Sequence, residues 1–100
     1  MQQLFKEKVL RVLKRVPKGM VTTYQGIARL SGNERAYRAA GNALHNNKFP
    51  IVIPCHRVVR ANGMLGGYGG GQKKKKELLI SEGVEIVNGK INLKKFGWKI

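Results

Sequence analysis

Apolar residues near the start of the chain recur at intervals of three and four positions. The residues in this pattern are Phe5, Val9, Val12, Leu13 and Val16. Such spacing places them on one face of a helix, so it predicts an amphipathic helix from about residue 3 to residue 16. Pro17 and Gly19, which disfavour a helix interior, are predicted to end it.

Two shorter helices separated by a glycine-containing turn are predicted between residues 22 and 45. Thr22 has a side chain that can cap the first of them, and Gln25 stands where it would complete a capping box. This helix ends at Gly32, and Asn33 is predicted to cap the next helix. Two short helices joined in this way are typical of a helix-turn-helix.

The second helix of this pair has an apolar face made almost entirely of alanine. The apolar face is Ala36, Ala39, Ala40, Ala43 and Leu44, and the polar face is Arg35, Arg38, Asn42 and His45. Because its packing side is so small, this helix could press closely into a groove of nucleic acid while its cations project outward. A surface helix packed tightly on the core is the alternative.

The middle of the chain contains an apolar segment followed by a glycine-rich one. Ile51-Val52-Ile53 leads into Cys55, and the segment 66–71 has five glycines around Tyr68. Five glycines exclude a stable helix and leave a backbone that can approach a ligand closely. As a phosphate-binding loop the segment is a weak signal, because no Lys-Ser/Thr pair follows it.

A helix that opens with four lysines is predicted after the glycine-rich segment. The lysines are residues 73–76, the apolar residues 78–80 are expected to be buried, and Gly83 ends the helix. Cations at this end oppose the helix macrodipole. The run therefore indicates either a phosphate backbone alongside or a solvated stretch of charge.

The last segment adds a little β-structure. Asn88-Gly89 predicts a type I′ turn in a β-hairpin over 84–93, and Trp98 is expected to anchor the tail against the core. The predicted fold class is therefore mostly α with a small β-hairpin, of the helix-turn-helix or winged-helix-like kind. One hundred residues are enough for a single domain, 1–100.

The charge balance points to a polyanionic partner. Twenty Lys and Arg against five acids give a formal net charge of +15, and the cations cluster on predicted helices and loops. Solubility through self-repulsion is the alternative. A membrane is disfavoured, because no basic helix has an apolar opposite face of the interfacial kind. A single cysteine, with no signal peptide, predicts a reducing compartment: the cytoplasm, or the nucleus of a eukaryote.

The candidate chemistry centres on Cys55, which His56 follows directly. A thiol beside an imidazole is a candidate nucleophile, and basic surroundings favour the thiolate. For an isolated cysteine the alternative is a small buried hydrophobic residue. Neighbours in an extended segment point to opposite faces, so a tight turn or a bridging water would have to connect the two side chains.

The few acids and histidines limit what else the chain can do. No aspartate is present and the two histidines lie far apart, so neither a carboxylate dyad nor metal-ligand spacing is found, and no metal or cofactor is expected. By elimination, Glu82 is the acid that would orient His56. Arg57 is predicted to be structural, bonding loop carbonyls.

The sequence Pro54-Cys55-His56-Arg57-Val58, with the Gly-Tyr-Gly-Gly loop that follows it, resembles the active domain of the O6-alkylguanine-DNA alkyltransferases. The resemblance runs from about Val21 to Gly83 and more loosely over the first helix. It implies DNA repair by irreversible transfer of an alkyl group from O6 of guanine to the protein's own cysteine, once per molecule and without a cofactor. The implied partner is double-stranded DNA, bound through its minor groove by a monomer, with cooperative binding left open.

The resemblance also implies a catalytic role for four residues. Cys55 would accept the alkyl group, and His56 would be the base that acts through water. Glu82 would orient His56, and Asn47 would support the segment around the thiol by hydrogen bonding.

A second set of residues is implied to bind DNA and the extruded base. Tyr24 would crowd the target phosphate and donate to the base, while Arg38 would fill the vacated stack. The guanine pocket would be formed by Tyr68, the Val58 backbone, Gly69 and Pro50. Arg35 and Asn42, on the polar face of the alanine-rich helix, complete the expected DNA contacts.

Two departures from the family are visible, and two other functions stay open. Members usually carry an additional N-terminal domain, whereas this chain begins at the active one. Gly69 stands where many relatives have a hydroxyl residue, so one hydrogen bond to the alkylated oxygen is missing. The other functions are an alkyltransferase-like lesion sensor, in which tryptophan commonly replaces the cysteine, and a cysteine hydrolase or transferase that turns over. The presence of Cys55, His56 and Glu82 favours the alkyltransferase.

Overall fold

A computed structural model describes residues 2–45 and 53–98, with the backbone alone for residues 2–4. The helices are α1 (Gln2–Leu13), α2 (Tyr24–Leu30), α3 (Tyr37–His45), α4 (Gln72–Ser81) and α5 (Leu93–Phe96), with 3₁₀ turns at Glu34–Ala36 and Cys55–Arg57. The strands are β1 (Thr22–Thr23) and β2 (Val58–Val59). The described residues thus form a mostly helical fold with a small two-stranded parallel sheet, which confirms the predicted class.

The helix-turn-helix is present, with one change in its capping. Thr23, and not the predicted Thr22, caps α2, because its hydroxyl accepts a hydrogen bond from the Gly26 amide at 2.9 Å. Thr22 is instead part of β1. The prediction for Asn33 is confirmed: its side chain accepts from the Arg35 amide at 3.1 Å and begins the 3₁₀ turn that leads into α3.

The alanine-rich face of α3 is narrower than predicted. Ala40, Ala43 and Leu44 are buried, whereas Ala39 is exposed, so its assignment to the packing face was wrong. The reason is geometric, because Ala39 lies about 100° around the helix from Ala40, beyond the edge of the buried stripe.

The short sheet brings two distant segments side by side. β1 and β2 are parallel, with Thr22 opposite Val58 and Thr23 opposite Val59. Tyr24 directly follows the first strand, and the turn Cys55–Arg57 directly precedes the second. The pairing therefore fixes the start of α2 beside the segment that carries the cysteine.

The core consists of two clusters that meet at this sheet. The first cluster joins α1, α2 and α3 and includes Val9, Leu13, Ile27, Ala40, Leu44 and Val58. The second includes Val21, Val59, Leu65, Leu79, Val84 and Ile91. Because Val58 and Val59 belong to different clusters, β2 lies between them and is held from both sides.

Helix α4 buries a different set of residues from the predicted one. Leu79 is fully buried and Leu78 partly so, but Ile80 is 52% exposed, which corrects the expectation that it packs in the core. Lys75, four positions before Leu79, lies on the same face and is fully buried. The lysine run is therefore not a uniformly solvated stretch.

Of the hairpin predicted over 84–93, only the turn forms. Asn88 and Gly89 both have positive φ, as a type I′ turn requires, but only Val87 and Lys90 pair across it. The chain then leaves Val87, because the Ile91 amide donates to the Gly63 carbonyl at 2.9 Å and Leu93 begins α5. Competition from the loop before α4 thus shortens the hairpin.

The tail is anchored as predicted. The Trp98 amide donates to the Val21 carbonyl at 2.7 Å, and the Arg15 guanidinium lies 5.7 Å from the centre of the indole ring. Within the described ranges, no helix is both long enough and apolar enough to cross a membrane.

Candidate active site

The cysteine lies on a tight turn and not on an extended segment. Cys55, His56 and Arg57 form one 3₁₀ turn, in which the Arg57 amide donates to the Pro54 carbonyl at 3.0 Å and the Val58 amide to the Cys55 carbonyl. A turn of this kind does not force neighbouring side chains to opposite faces as a strand does. Cys55 is partly exposed and His56 is completely buried.

His56 is held by Glu82, as the sequence predicted. Its Nε2 atom lies 3.0 Å from Oε2 of Glu82, while Nδ1 is buried with no hydrogen-bond partner in the part of the chain that the structure describes. Burial lowers the pKa of His56, and this outweighs the opposing effect of Glu82. A neutral imidazole that donates from Nε2 keeps a lone pair on Nδ1, so His56 can act as a base.

Glu82 is shared between His56 and Arg57. Arg57 donates to both carboxylate oxygens, at 2.9 Å from Nε and 2.7 Å from Nη2, and its Nη1 donates to the Val16 carbonyl at 2.9 Å. Burial favours a higher pKa for Glu82, but the hydrogen bonds from Arg57 and His56 outweigh it, and the pKa falls below its ordinary value. The Val16 contact agrees with the structural role predicted for Arg57.

Lys75 is the residue of this region that the sequence did not reveal. Its Nζ donates to the Val58 carbonyl at 2.6 Å and to the Gly67 carbonyl at 3.1 Å, and burial lowers its pKa to about 8. The ammonium group therefore ties β2 to the glycine-rich segment. Its spacing of four from Leu79 was the available signal, but the neighbouring lysines concealed it.

A cleft of about 490 Å³ opens beside the cysteine. It is lined by Tyr24, Gly41, Leu44, His45, Cys55, Gly67, Tyr68 and Gly69. The volume is within the range of small-molecule sites. Cys55, Tyr24, Tyr68 and Gly69, which were predicted from distant parts of the sequence, thus meet around one space, together with residues of α3.

The two tyrosines of the cleft share an environment. Burial, and then the negative charge that Cys55 can carry, raise the pKa of Tyr24 and of Tyr68. Both phenols therefore keep their protons at neutral pH and can donate hydrogen bonds. The Tyr68 ring also lies edge-on to His56, with 6.4 Å between ring centres.

Comparison with known proteins assigns the chain to a family. The sequence profile described as "6-O-methylguanine DNA methyltransferase, DNA binding domain" matches residues 4–84. This chain belongs to that family. The family resemblance predicted from the sequence around Cys55 is therefore confirmed.

Curated relatives of the methyltransferase family are similar over most of this chain. The methylated-DNA–protein-cysteine methyltransferase of Cricetulus griseus is 49% identical over 85 residues, covering 83% of this chain and 41% of that protein. The corresponding protein of Methanothermobacter thermautotrophicus is 46% identical over 82 residues, covering 82% of this chain and 46% of that protein. The chain thus spans less than half the length of these relatives.

Solved structures with this fold include complexes with DNA. S. pombe Atl1, bound to damaged DNA containing O6-carboxymethylguanine, has a TM-score of 0.88 and 31% identity over 100% of this chain and 98% of that chain. Mycobacterium tuberculosis OGT in complex with DNA has a TM-score of 0.77 and 42% identity, over 79% of this chain and 48% of that chain.

The other predicted site residues that the structure describes do not line this cleft. Arg35, Arg38 and Asn42 are exposed around the start of α3 and along it. Val58 does not line the cleft, and its carbonyl is taken by Lys75. Asn47 and Pro50 lie outside the described residues, and their predicted roles stay predictions.

Gly69, which stands where many members of the family have a hydroxyl residue, has open space beside its Cα atom in the described part of the chain. Among the residues that the structure describes, none would lie within 4 Å of a Cβ atom placed on Gly69. The packing of these residues therefore does not require glycine at this position.

Proposed function

We propose that this domain repairs DNA by transferring an alkyl group from O6 of guanine to Cys55. The observation that carries the proposal is the meeting of Cys55, on the wall of a cleft of about 490 Å³, with the buried pair of His56 and Glu82. Family membership supplies the reaction class, and the geometry supplies the residues that would perform it.

The proposed reaction is a displacement at carbon. His56 takes the thiol proton of Cys55 on Nδ1, through one water, while Glu82 holds Nε2–H. The thiolate attacks the alkyl carbon, so that a C–S bond forms and the C–O6 bond breaks with its electron pair leaving on guanine. Guanine then takes up a proton, for which Tyr24, a phenol on the same cleft, is the proposed donor. Solvent returns a proton to Tyr24, and His56 releases to solvent the proton that it took from the thiol. The thioether product has no hydrolysable bond, so each molecule reacts once.

The base must leave the helix to reach this cleft, because O6 of a paired guanine is not accessible to a partly buried thiol. We propose that α3 enters the minor groove and that Arg38 occupies the position of the extruded base. The exposed Arg35 and Asn42 would contact the DNA beside it. The net charge of +15 fits such a partner, since neutralised phosphates release counterions and strengthen binding.

The second candidate is a lesion sensor, which would bind alkylated DNA without removing the alkyl group. It is favoured by the match to S. pombe Atl1, which covers nearly all of both chains and was crystallised with DNA that contains O6-carboxymethylguanine. Lesion loss measured against protein amount distinguishes the candidates. Increasing protein is incubated with duplex DNA that contains O6-methylguanine, and the remaining lesion is measured. The alkyltransferase removes one lesion per protein molecule and then stops, and Cys55→Ala removes none. Binding without loss of lesion would favour the sensor, and removal beyond equivalence would indicate a turnover enzyme.

A further inference from the structure

A second cleft adjoins the first on the far side of Tyr24. Its volume is about 500 Å³, and Tyr24 and Gly67 line both clefts. Four side chains that the proposed reaction does not use also line it: Gln25, Tyr37, Arg60 and Gln72. No carboxylate lines this cleft among the described residues, so its charge is that of Arg60 alone.

Arg60 and the Tyr24 hydroxyl approach each other at Gly66, on the wall of the second cleft. A Cβ atom on Gly66 would lie 3.2 Å from Cγ of Arg60 and 3.3 Å from the Tyr24 hydroxyl oxygen, and Gly66 has a φ of +74°. The positive φ and the close approach both favour glycine at this position. The Gln72 side chain donates to the Gly66 carbonyl at 3.0 Å and fixes the wall. The aliphatic part of Arg60 and the Tyr24 hydroxyl thus approach the same glycine, and both residues line the second cleft.

Tyr37 gives the second cleft an aromatic surface. It is the first residue of α3, directly before Arg38, and its side chain is 40% exposed although it is large and apolar. An exposed aromatic ring near a cation is the combination on which proteins stack nucleobases next to a phosphate.

We infer that the second cleft binds the nucleotide adjacent to the extruded one, with its phosphate on Arg60 and its base against Tyr37. The inference rests on the proposed function, in which the alkylated base fills the first cleft. The backbone that carries this base must pass Tyr24, the residue common to both clefts. The next phosphate then arrives beside Arg60. This subsite would extend recognition from a base to a dinucleotide.

Substrates of increasing length test the inference. Single-turnover transfer rates are measured with O6-methyl-2′-deoxyguanosine and with the two dinucleotides that extend it on the 5′ or the 3′ side. Wild-type protein should react about tenfold faster with one dinucleotide than with the nucleoside, since a charge-assisted phosphate contact is gained. Arg60→Ala and Tyr37→Ala should each lose this gain while keeping the nucleoside rate. Arg60→Lys and Tyr37→Phe should retain most of it.

Lys95→Ala serves as the matched control, because it removes one positive charge from α5 and does not line the cleft. The Lys95→Ala variant should still react faster with the dinucleotide than with the nucleoside. Equal rates for the nucleoside and both dinucleotides, or a gain that survives Arg60→Ala, would overturn the inference while leaving the proposed function intact. Absence of transfer from every substrate, including duplex DNA, would instead refute the proposed function.

Discussion

Glu82 is the residue on which the local arrangement depends most. It accepts hydrogen bonds from His56 and from both ends of the Arg57 fork, and its side chain is only 9% exposed. Arg57 in turn reaches the Val16 carbonyl after α1. One carboxylate at the end of α4 therefore holds the His56 imidazole and joins the cysteine turn to two helices.

The substitution Glu82→Gln should destabilise the fold and slow alkyl transfer to Cys55. The Arg57 guanidinium is 14% exposed and would lose its ionic partner, which costs about 3 kcal/mol when such a pair is broken. Urea unfolding measures this loss. Glu85→Gln is the matched control, because the Glu85–Lys95 pair is more than half exposed and should contribute less than about 1 kcal/mol. Similar losses in both variants would contradict the central place given to Glu82.

Lys75 should make stability depend on pH in the alkaline range. Its pKa in the folded protein is about 8, against 10.5 ordinarily, so below pH 8 both states carry the proton and folding bears the full cost of burying it. Between about pH 8 and 10.5 the folded state has lost the proton and the unfolded state keeps it. The contribution of Lys75 to the free energy of unfolding therefore rises over this pH range, by up to about 3 kcal/mol.

The comparison of wild type with Lys75→Met isolates this effect, because methionine does not titrate. The difference in unfolding free energy should shift in favour of wild type by about 3 kcal/mol between pH 7 and pH 11. Lys76→Met, at the exposed neighbour, is the matched variant for the loss of one positive charge from α4. A Lys75→Met difference that stays constant between pH 7 and pH 11 would contradict the prediction, because it would mean that the carbonyls of Val58 and Gly67 fully compensate the charge.

Among the secondary-structure elements, the sequence predicted the helices, which depend on local pattern. It did not predict the loss of the hairpin, which depends on competition between distant segments. The positions of α1, α2, α3 and α4 follow from apolar periodicity and from residues such as Asn33. The hairpin failed because Ile91 pairs with Gly63, a partner far away in the sequence. The contact of Glu82 with His56 could be predicted only by elimination, and its sharing with Arg57 could not, because side-chain packing decides it.

Helix α3 is the element expected to distinguish duplex DNA from a free base. Arg38→Ala should reduce transfer from duplex DNA by at least about tenfold, since extrusion of a base costs a few kcal/mol. Transfer from free O6-benzylguanine should be unchanged, because nothing has to be extruded. Lys95→Ala controls for the loss of one positive charge. Equal losses on the two substrates would contradict the role of Arg38 in extrusion.

At the scale of the whole molecule, the two core clusters meet at a two-residue sheet, and the reactive parts gather there. Tyr24 follows β1, Cys55 and His56 precede β2, and Lys75 binds the β2 carbonyl. The sheet is small, but both clusters hold it. This junction places the Cys55 thiol and the phenols of Tyr24 and Tyr68 around one cleft, with His56 buried directly beside Cys55 in the chain.

The most direct measurement follows the alkyl group itself. Wild-type protein is incubated with duplex DNA carrying O6-methylguanine with a deuterated methyl group, then digested and mapped by tandem mass spectrometry. We expect one labelled methyl group per protein molecule, on the sulfur atom of Cys55 in the peptide that contains it. A label that stays in the DNA while the protein is fully bound, or that appears on a different residue, would contradict it.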